Sequence, residues 1–300
     1  MQIVGELRDK RMVVEIIAGL SQIGITANSH YVSEGDIYII TVDNAEHLGL
    51  AQDFFRVKLG FKKPIEVDQQ WVKIKTLPRG EMTFAMLVTC IGIYLLSFSN
   101  MGVPLYDTLF LGKTDSSLFY EVGRGQFWRL ITPIFLHMSF LHILFNMLWF
   151  KDLGYLIEFN FKKNFLLLFV LLTGLFSNIC QYLVSGPQFG GMSGVLYAML
   201  GFIWVYKKLH VDFEYAIPKF DIGMMIGWYF MCLTGVLGPI ANTAHGAGLV
   251  AGMLCAVGMQ FRLDRERLKY LSLALFFLIF TLGVEGYKLQ GRYYLLLWKQ

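Results

Sequence analysis

The chain is 300 residues long, which allows about two domains of ordinary size. Hydrophobic residues make up 55% and charged residues 16% of it, and the mean hydropathy is +0.52, whereas a typical soluble protein carries about 25% charged residues. This composition excludes a soluble enzyme, a disordered chain and a fibrous repeat, and predicts a polytopic membrane protein. The net charge of +4 does not indicate nucleic acid, because the basic residues cluster beside hydrophobic runs, which is typical of a topology signal.

Residues 1–66 hold much of the acidic charge and are predicted to form a small α+β domain in the cytoplasm. Its predicted elements, in chain order, are a strand at 2–7, a helix at 10–23, strands at 25–31 and 36–42, and a helix beginning at Asn44. Residues 67–80 are predicted to be a linker, and its basic residues place it beside a membrane. A domain of this size has a thin core, so we expect an accessory role for it.

Apolar segments then fill residues 81–261, and they predict an all-α bundle of six membrane-spanning helices. The six segments are 82–99, 139–158, 164–184, 193–206, 220–237 and 242–261. Residues 262–300 are predicted to contain a basic loop, a tail and a seventh candidate span at 271–284. The seventh segment also fits a helix that lies on the membrane surface, because Glu285, Lys288 and Arg292 follow it closely.

The loops between these spans differ in charge. Basic residues precede span 1, lie between spans 2 and 3 and between spans 4 and 5, and follow span 6. The loops between spans 3 and 4 and between spans 5 and 6 carry no charge. Because basic loops stay in the cytoplasm, the N-terminus is predicted to be cytoplasmic, and the uncharged loops and the long loop 100–138 are predicted to lie outside.

Polar residues inside membrane spans are the candidates for function. His142 and Asn146, four residues apart, share one face near the outer end of span 2. Ser193 follows the glycine-rich run 190–191 at the start of span 4, and His245 lies at the start of span 6. Each also has an ordinary interpretation: a serine after glycines is most often a helix cap, and a lone histidine can be a packing residue.

The depth of these residues in the membrane favours the functional interpretation. With a rise of 1.5 Å per residue, the distances to the cytoplasmic charges are about 21 Å from Ser193 to Lys207, about 25 Å from His245 to Arg262 and about 24 Å from His142 to Glu158. All three groups therefore lie roughly 5–10 Å below the outer edge of a hydrocarbon core of about 30 Å. A serine and a histidine at matched depth on separate helices can form a nucleophile–base pair. Since no acidic residue lies near either motif, the sequence predicts a Ser–His dyad.

The run Gly191-Met192-Ser193-Gly194 resembles the rhomboid intramembrane serine proteases, together with His137-x-Ser139-x-x-His142-x-x-x-Asn146 and Ala244-His245-x-x-Gly248-x-x-x-Gly252. The Trp128-Arg129 pair and the approach to the serine from Gly186-Pro187 are also similar. Together with the small N-terminal domain, these motifs are most similar to the bacterial GlpG type. The resemblance covers about residues 1–261 and is most specific over 124–252.

The resemblance implies a role for each residue at the site. Ser193 would be the nucleophile and His245 the general base, and His142, Asn146 and the backbone N–H of Ser193 would form the oxyanion hole. Tyr197 would stack on His245, and Gly191 and Gly194 would support the site. A lateral substrate gate would lie between spans 2 and 5, closed by Phe145 and Trp228, and the loop 238–244 would cap the site.

The resemblance further implies that the substrates are single-pass or polytopic membrane proteins, cleaved within the lipid bilayer of the bacterial inner membrane. It implies no cofactor, no metal and no nucleic acid, and it leaves open a homodimer formed through the N-terminal domain. Pro133 departs from the pattern, because some relatives have a polar histidine there; Ser177 and Gln181 are then the candidates to supply the missing polarity. The four cysteines, Cys90, Cys180, Cys232 and Cys255, lie in apolar runs and predict neither a disulfide framework nor a metal site.

Two other functions compete with proteolysis. A catalytically inactive rhomboid-like scaffold or chaperone is expected to lack Ser193 or His245, and this chain has both. A transporter favours repeated halves around a site at the midplane, and the sequence shows no internal repeat.

Overall fold

The structure is a computed structural model that describes residues 2–61, 68–113, 119–238, 240–259 and 264–297, with side chains up to residue 289. The chain folds as two compact units, Met1–Val67 and Asp68–Gln300. The first unit contains a small sheet, and the described part of the second is helical.

The first unit is a three-stranded antiparallel sheet with two helices packed on it. The strands are β1 (Gln2–Leu7), β2 (Ala27–Val32) and β3 (Ile37–Val42), in the order β1-β3-β2, and the helices are α1 (Lys10–Gln22) and α2 (Leu48–Lys58). In α1, Val13, Ile16 and Leu20 recur at helical spacing and are buried against the sheet. These are the predicted elements, with ends that differ by a few residues.

The second unit contains nine α-helices within the described ranges. They are α3 (Gln69–Lys75), α4 (Glu81–Leu96), α5 (Gly102–Leu109), α6 (Tyr120–Gly123), α7 (Phe140–Ser185), α8 (Ser193–Leu209), α9 (Lys219–Leu233), α10 (Asn242–Gly258) and α11 (Arg265–Leu297). Helix α3 lies inside the predicted linker. It begins where the Asp68 carboxylate accepts a hydrogen bond from the backbone N–H of Gln70 at 2.8 Å, which satisfies a free donor of the first turn.

Two of these helices, Phe140–Ser185 and Arg265–Leu289, are long and apolar enough to cross a membrane by length and composition. Helix α7 covers predicted spans 2 and 3, and it breaks at Lys162, whose φ of 73° is not helical. Its arms, 140–161 and 163–185, match the two predicted spans. The other predicted spans form the helices α4, α8, α9 and α10, of 16, 17, 15 and 17 residues. Helices α4, α9 and α10 are shorter than the predicted segments, whereas α8 continues three residues beyond its predicted end.

Glu158 fixes α4 against the first arm of α7. Its carboxylate accepts hydrogen bonds from the backbone N–H groups of Met82 and Thr83, at 2.9 and 2.8 Å, and from the Thr83 hydroxyl at 2.7 Å. The acid thus caps the N-terminus of α4, where backbone donors lack helical partners and the helix dipole favours negative charge.

The core of the second unit is centred on α8, which packs closely along α10. Eleven of the seventeen residues of α8 are buried. A Cβ atom added to Gly248 would lie 1.9 Å from the Gly194 carbonyl oxygen, and one added to Gly252 would lie 1.8 Å from that of Ala198. The two backbones can approach this closely only because these positions have no side chain.

We predict that Gly252→Ala lowers the thermal unfolding temperature measured in detergent. The new methyl group meets a backbone oxygen that cannot move without shifting a helix, and such overpacking costs about 1–3 kcal/mol. Gly92→Ala is the matched control, since Gly92 lies within α4 and a Cβ there meets nothing within 4 Å. An unfolding temperature for Gly252→Ala equal to that of the control would contradict the close packing of α8 and α10.

Candidate active site

The structure brings Ser193 and His245 together at one end of the α8–α10 pair. Ser193 is the first residue of α8, and His245 lies in the first turn of α10. The Ser193 Oγ and His245 Nε2 atoms are 2.7 Å apart, within hydrogen-bond distance. His245 is 4% exposed, and Ser193 is half-buried. This is the contact expected of a nucleophile and its base.

Small residues make this contact possible. A Cβ atom on Gly194 would lie 2.8 Å from the Ser177 Oγ and 3.2 Å from the Ala244 carbonyl oxygen. The absence of a side chain therefore lets α7 and α10 close around the first turn of α8. Gln181, also on α7, accepts a hydrogen bond from the backbone N–H of Ala244 at 2.9 Å, which fixes the beginning of α10 beside the site.

The His245 ring is held by an aromatic side chain instead of a carboxylate. The Tyr197 ring, one turn after Ser193, has its centroid 4.8 Å from that of His245, and the planes are tilted by 37°. The Tyr197 hydroxyl donates a hydrogen bond to the Met225 carbonyl oxygen at 2.9 Å, which fixes the ring to α9. Among the described residues, His245 Nδ1 has no hydrogen-bond partner. Within the part of the chain that the structure describes, no third side chain therefore hydrogen-bonds to the histidine of this pair.

His142 and Asn146 lie on the first arm of α7, as their spacing predicts. A Cβ atom on Gly191 would lie 2.6 Å from the His142 Nε2 and 3.7 Å from the Ser193 Oγ, so the His142 ring borders the serine. Asn146 is 5% exposed, and its amide nitrogen donates to the His142 carbonyl oxygen at 2.7 Å. Because an amide nitrogen carries two hydrogens, this bond leaves one for another acceptor.

The turn before Ser193 is held by Pro133, which the sequence marks only as a departure from the family pattern. The backbone N–H of Gly191 donates a hydrogen bond to the Pro133 carbonyl oxygen at 3.0 Å, and the φ of Gly191 is 123°, a value that side chains rarely allow. The proline thus supports the serine turn through its backbone. Ser177 and Gln181, the predicted sources of polarity, are buried against the first turns of α8 and α10.

His137, which belongs to the same sequence motif as His142 and Asn146, is a second residue to which the sequence assigned no role. It is buried, and its ring centroid lies 5.0 Å from that of His142. Its Nδ1 lies 3.2 Å from the Phe135 carbonyl oxygen. The sequence already indicates that the two histidines are close. His137 lies just before α7, and His142 lies in its first turn.

The structure places the predicted gate residues on two helices, Phe145 on the first arm of α7 and Trp228 on α9. Phe145 is 54% exposed and Trp228 is 47% exposed. In the predicted cap loop 238–244, residue 239 lies outside the described residues, and the last three residues belong to α10. No group of His, Cys, Asp or Glu within the described ranges is arranged to hold a metal ion.

Comparison with known proteins identifies proteins whose sequences are similar to this chain. Residues 124–260 match the family model described as the Rhomboid domain, which confirms the resemblance predicted from the sequence. Proteins named Rhomboid protease GlpG from Yersinia pseudotuberculosis serotype I (strain IP32953) and Yersinia pestis (strain Pestoides F) are each 33% identical to this chain over 178 residues. These matches cover 59% of this chain and 62% of each relative.

A protein named Rhomboid protease GlpG homolog, from Cronobacter sakazakii (strain ATCC BAA-894), is 33% identical over 180 residues, which are 60% of this chain and 62% of that protein. The chain therefore spans less than two thirds of the length of the curated relatives it matches. Ser193, His245, His142 and Asn146 all lie within the matched domain.

We predict that Gly191→Ala slows covalent labelling of Ser193 by a fluorophosphonate, a reagent that reacts with activated serines. The added methyl group collides with the His142 ring beside the serine, and a misplacement of about 1 Å can cost about 100-fold in rate. Gly186→Ala is the matched control: Gly186 also has a positive φ, 84°, but a Cβ there meets nothing within 4 Å. Equal labelling rates for the two variants would contradict the placement of His142 beside Ser193.

Proposed function

We propose that this chain, which belongs to the rhomboid family through its domain at residues 124–260, is an intramembrane serine endopeptidase. It cleaves transmembrane segments of membrane proteins by means of a Ser–His dyad. The observation that carries the proposal is the 2.7 Å contact between the Ser193 Oγ and the His245 Nε2, formed between two helices packed backbone to backbone. The Rhomboid protease names of the relatives support the same reaction class.

The geometry supports an acyl-transfer reaction in two halves. His245 Nε2 accepts the proton of the Ser193 hydroxyl while Oγ attacks the carbonyl carbon of the scissile peptide bond. The protonated histidine then gives this proton to the leaving amine, which departs and leaves an ester on Ser193. In the second half, His245 takes a proton from a water molecule that attacks the ester, and returns it to Oγ as the carboxylate product leaves.

The oxyanion that forms in each half needs donors on the opposite side from His245. The Ser193 N–H is at the N-terminus of α8, where backbone donors and the helix dipole stabilise negative charge. The Asn146 amide and the His142 ring add side-chain donors from α7. A single donor of this kind is typically worth about 3–4 kcal/mol of transition-state stabilisation.

The proposal includes the place of the protein in the membrane. The arms of α7, with α4, α8, α9 and α10, form a six-helix bundle in the bacterial inner membrane, and Arg265–Leu289 of α11 adds a seventh span. The N-terminus is cytoplasmic, residues 1–66 form a cytoplasmic domain, and the site opens to the outside. The apolar length of Phe140–Ser185 and Arg265–Leu289 and the charge pattern of the loops support this arrangement. A homodimer through the N-terminal domain stays a prediction.

An inactive scaffold or chaperone is the alternative. The hydrogen-bonded Ser193 and His245, and the glycines that let their helices approach, favour the protease over a scaffold. A scaffold requires neither a nucleophile nor a base at this separation.

We predict that Ser193→Ala and His245→Ala each abolish cleavage of a transmembrane substrate by the purified protein in vesicles. The double variant should be no worse than either single variant, because the two residues act as one chemical unit. Ser272→Ala and His30→Ala are the controls, since Ser272 bonds only within its own helix and His30 is exposed in the other unit. Cleavage by Ser193→Ala at the wild-type rate would refute the proposed function.

We predict that substrates reach the site sideways, through the gap between the first arm of α7 and α9. Phe145→Ala with Trp228→Ala should speed cleavage of a transmembrane substrate while leaving fluorophosphonate labelling unchanged. The loss of thermal stability should be small, because both side chains are half exposed. Phe84→Ala, an equally exposed phenylalanine on α4, is the control and should have no effect.

The same gap can be closed chemically. Phe145→Cys with Trp228→Cys, in a variant whose four native cysteines are replaced by alanine, can be joined with a bifunctional thiol reagent. The crosslink should block cleavage of the transmembrane substrate. Unchanged cleavage with the crosslink fully formed would reject lateral access between these two helices.

A further inference from the structure

Helix α11, the seventh span, packs on the bundle through a single stripe of its surface. The buried residues on this stripe, at helical spacing, are Arg267, Tyr270, Ala274, Phe277, Thr281 and Glu285. The stripe is apolar from Tyr270 to Phe277. It is polar at Arg267, which forms an ion pair with Asp264, and at Thr281 and Glu285. Polar side chains in a membrane helix are costly unless they bond to a partner, so Thr281 and Glu285 require an explanation.

Thr281 bonds to α9, the helix that carries Trp228. Its hydroxyl is hydrogen-bonded to the buried Tyr229 hydroxyl and also donates to the Phe277 carbonyl oxygen at 2.6 Å. Aromatic side chains of the two helices also pack against each other. The ring centroid of Phe277 lies 6.0 Å from that of Tyr229, and the ring centroid of Phe280 lies 5.5 Å from that of Phe230. The Thr281–Tyr229 pair therefore joins α11 to α9 at a buried, packed contact.

Glu285 bonds to the beginning of α10. Its carboxylate accepts a hydrogen bond from the Asn242 amide at 3.1 Å and forms an ion pair with Lys288 at 2.7 Å. A Cβ atom on Gly246 would lie 2.2 Å from the Thr281 Oγ1, so α11 also touches α10 beside His245. These contacts fix α11 to α10, which itself packs tightly on α8. Helix α11 is thus a rigid support from which Thr281 reaches α9.

Apart from its contact with α11, helix α9 packs loosely on its neighbours. Only four of its fifteen residues, Met225, Tyr229, Cys232 and Leu233, are buried. Its interhelical hydrogen bonds in the described residues are Trp71 to Asp221 at 2.8 Å, Tyr197 to the Met225 carbonyl oxygen at 2.9 Å, and the Tyr229–Thr281 pair. Beyond Met225, toward the outer end of α9 and past Trp228, the Thr281 bond is therefore the one interhelical hydrogen bond that the described residues provide.

We propose that α11 braces the outer half of α9 through the Thr281–Tyr229 bond, and so restricts the lateral opening through which substrate reaches Ser193. Thr281 is a positioning residue: it touches neither substrate nor the reacting atoms, and acts through Tyr229. This inference rests on the proposed protease function. Its consequence is that the rate of cleavage of a transmembrane substrate is limited by the contact of α9 with α11.

The test compares Thr281→Val and Tyr229→Phe with the wild-type chain in vesicles of phosphatidylethanolamine and phosphatidylglycerol. Each variant removes one hydroxyl of the pair and preserves the shape of the side chain. The substrate is a single transmembrane segment placed between two soluble reporter domains. Thr89→Val is the matched control, because the Thr89 hydroxyl bonds only to the Ala85 carbonyl oxygen of its own helix.

Each hydroxyl variant should cleave the transmembrane substrate about fivefold faster, which corresponds to about 1 kcal/mol for one buried hydrogen bond. The double variant should not exceed the faster single variant, because both changes break the same bond. Fluorophosphonate labelling of Ser193 should stay at the wild-type rate, since it requires the dyad but no lateral opening. Thr89→Val should change neither rate.

The outcomes separate this inference from the proposed function. If both hydroxyl variants cleave the substrate and are labelled at the wild-type rates, the inference that α11 restrains α9 is refuted. The proposed protease function is not affected by that outcome. Slower labelling and slower cleavage together would also overturn the inference, because they would assign Thr281 to the alignment of His245. If the wild-type chain is neither labelled nor able to cleave the substrate, the proposed function fails first.

Discussion

The contact between the backbones of α8 and α10 is the constraint on which the site depends. Ser193 and His245 are on different helices, and a hydrogen bond of 2.7 Å between them requires the helix axes to be close and in a fixed register. Gly248 and Gly252 supply this, because their Cα atoms lie where any side chain would collide with a carbonyl oxygen of α8. Inside a membrane such packing replaces the hydrophobic effect as the force that joins helices.

The same packing explains how the histidine of the proposed dyad is held by an aromatic partner. The Tyr197 ring follows Ser193 by one turn on α8, so the geometry that aligns the serine also places this ring against His245. A carboxylate at His245 Nδ1 would place an ionised group in a buried site, at a high desolvation cost. Stacking orients the imidazole without that cost, and the Tyr197 hydroxyl bond to Met225 holds the ring in place.

Much of this arrangement could be predicted from the residues alone. The charges that are predicted to be cytoplasmic indicate how deep each polar group lies in the membrane, and matched depth is enough to pair Ser193 with His245. Other features could not be predicted, for physical reasons. The continuation of α7 through Lys162 depends on a single residue with positive φ, which its sequence does not require. Helix α3 could not be told from a loop, because lysines beside a membrane are equally typical of both. Glu285 and Lys288 are charges typical of the end of a span, but they pair with each other, and Glu285 also bonds to Asn242.

The helices around the site divide into a rigid group and a looser one, and this division suits the proposed function, in which the substrate is itself a helix in the bilayer. Helices α8 and α10 are almost wholly buried and hold the reacting groups, whose positions must be fixed within a fraction of an ångström. Helix α9 exposes most of its surface and contributes to the site mainly through the Met225 carbonyl oxygen. Under the proposed function, a substrate can therefore displace α9 without disturbing the contact between Ser193 and His245, provided that the bonds of α9 to its neighbours are few and individually weak.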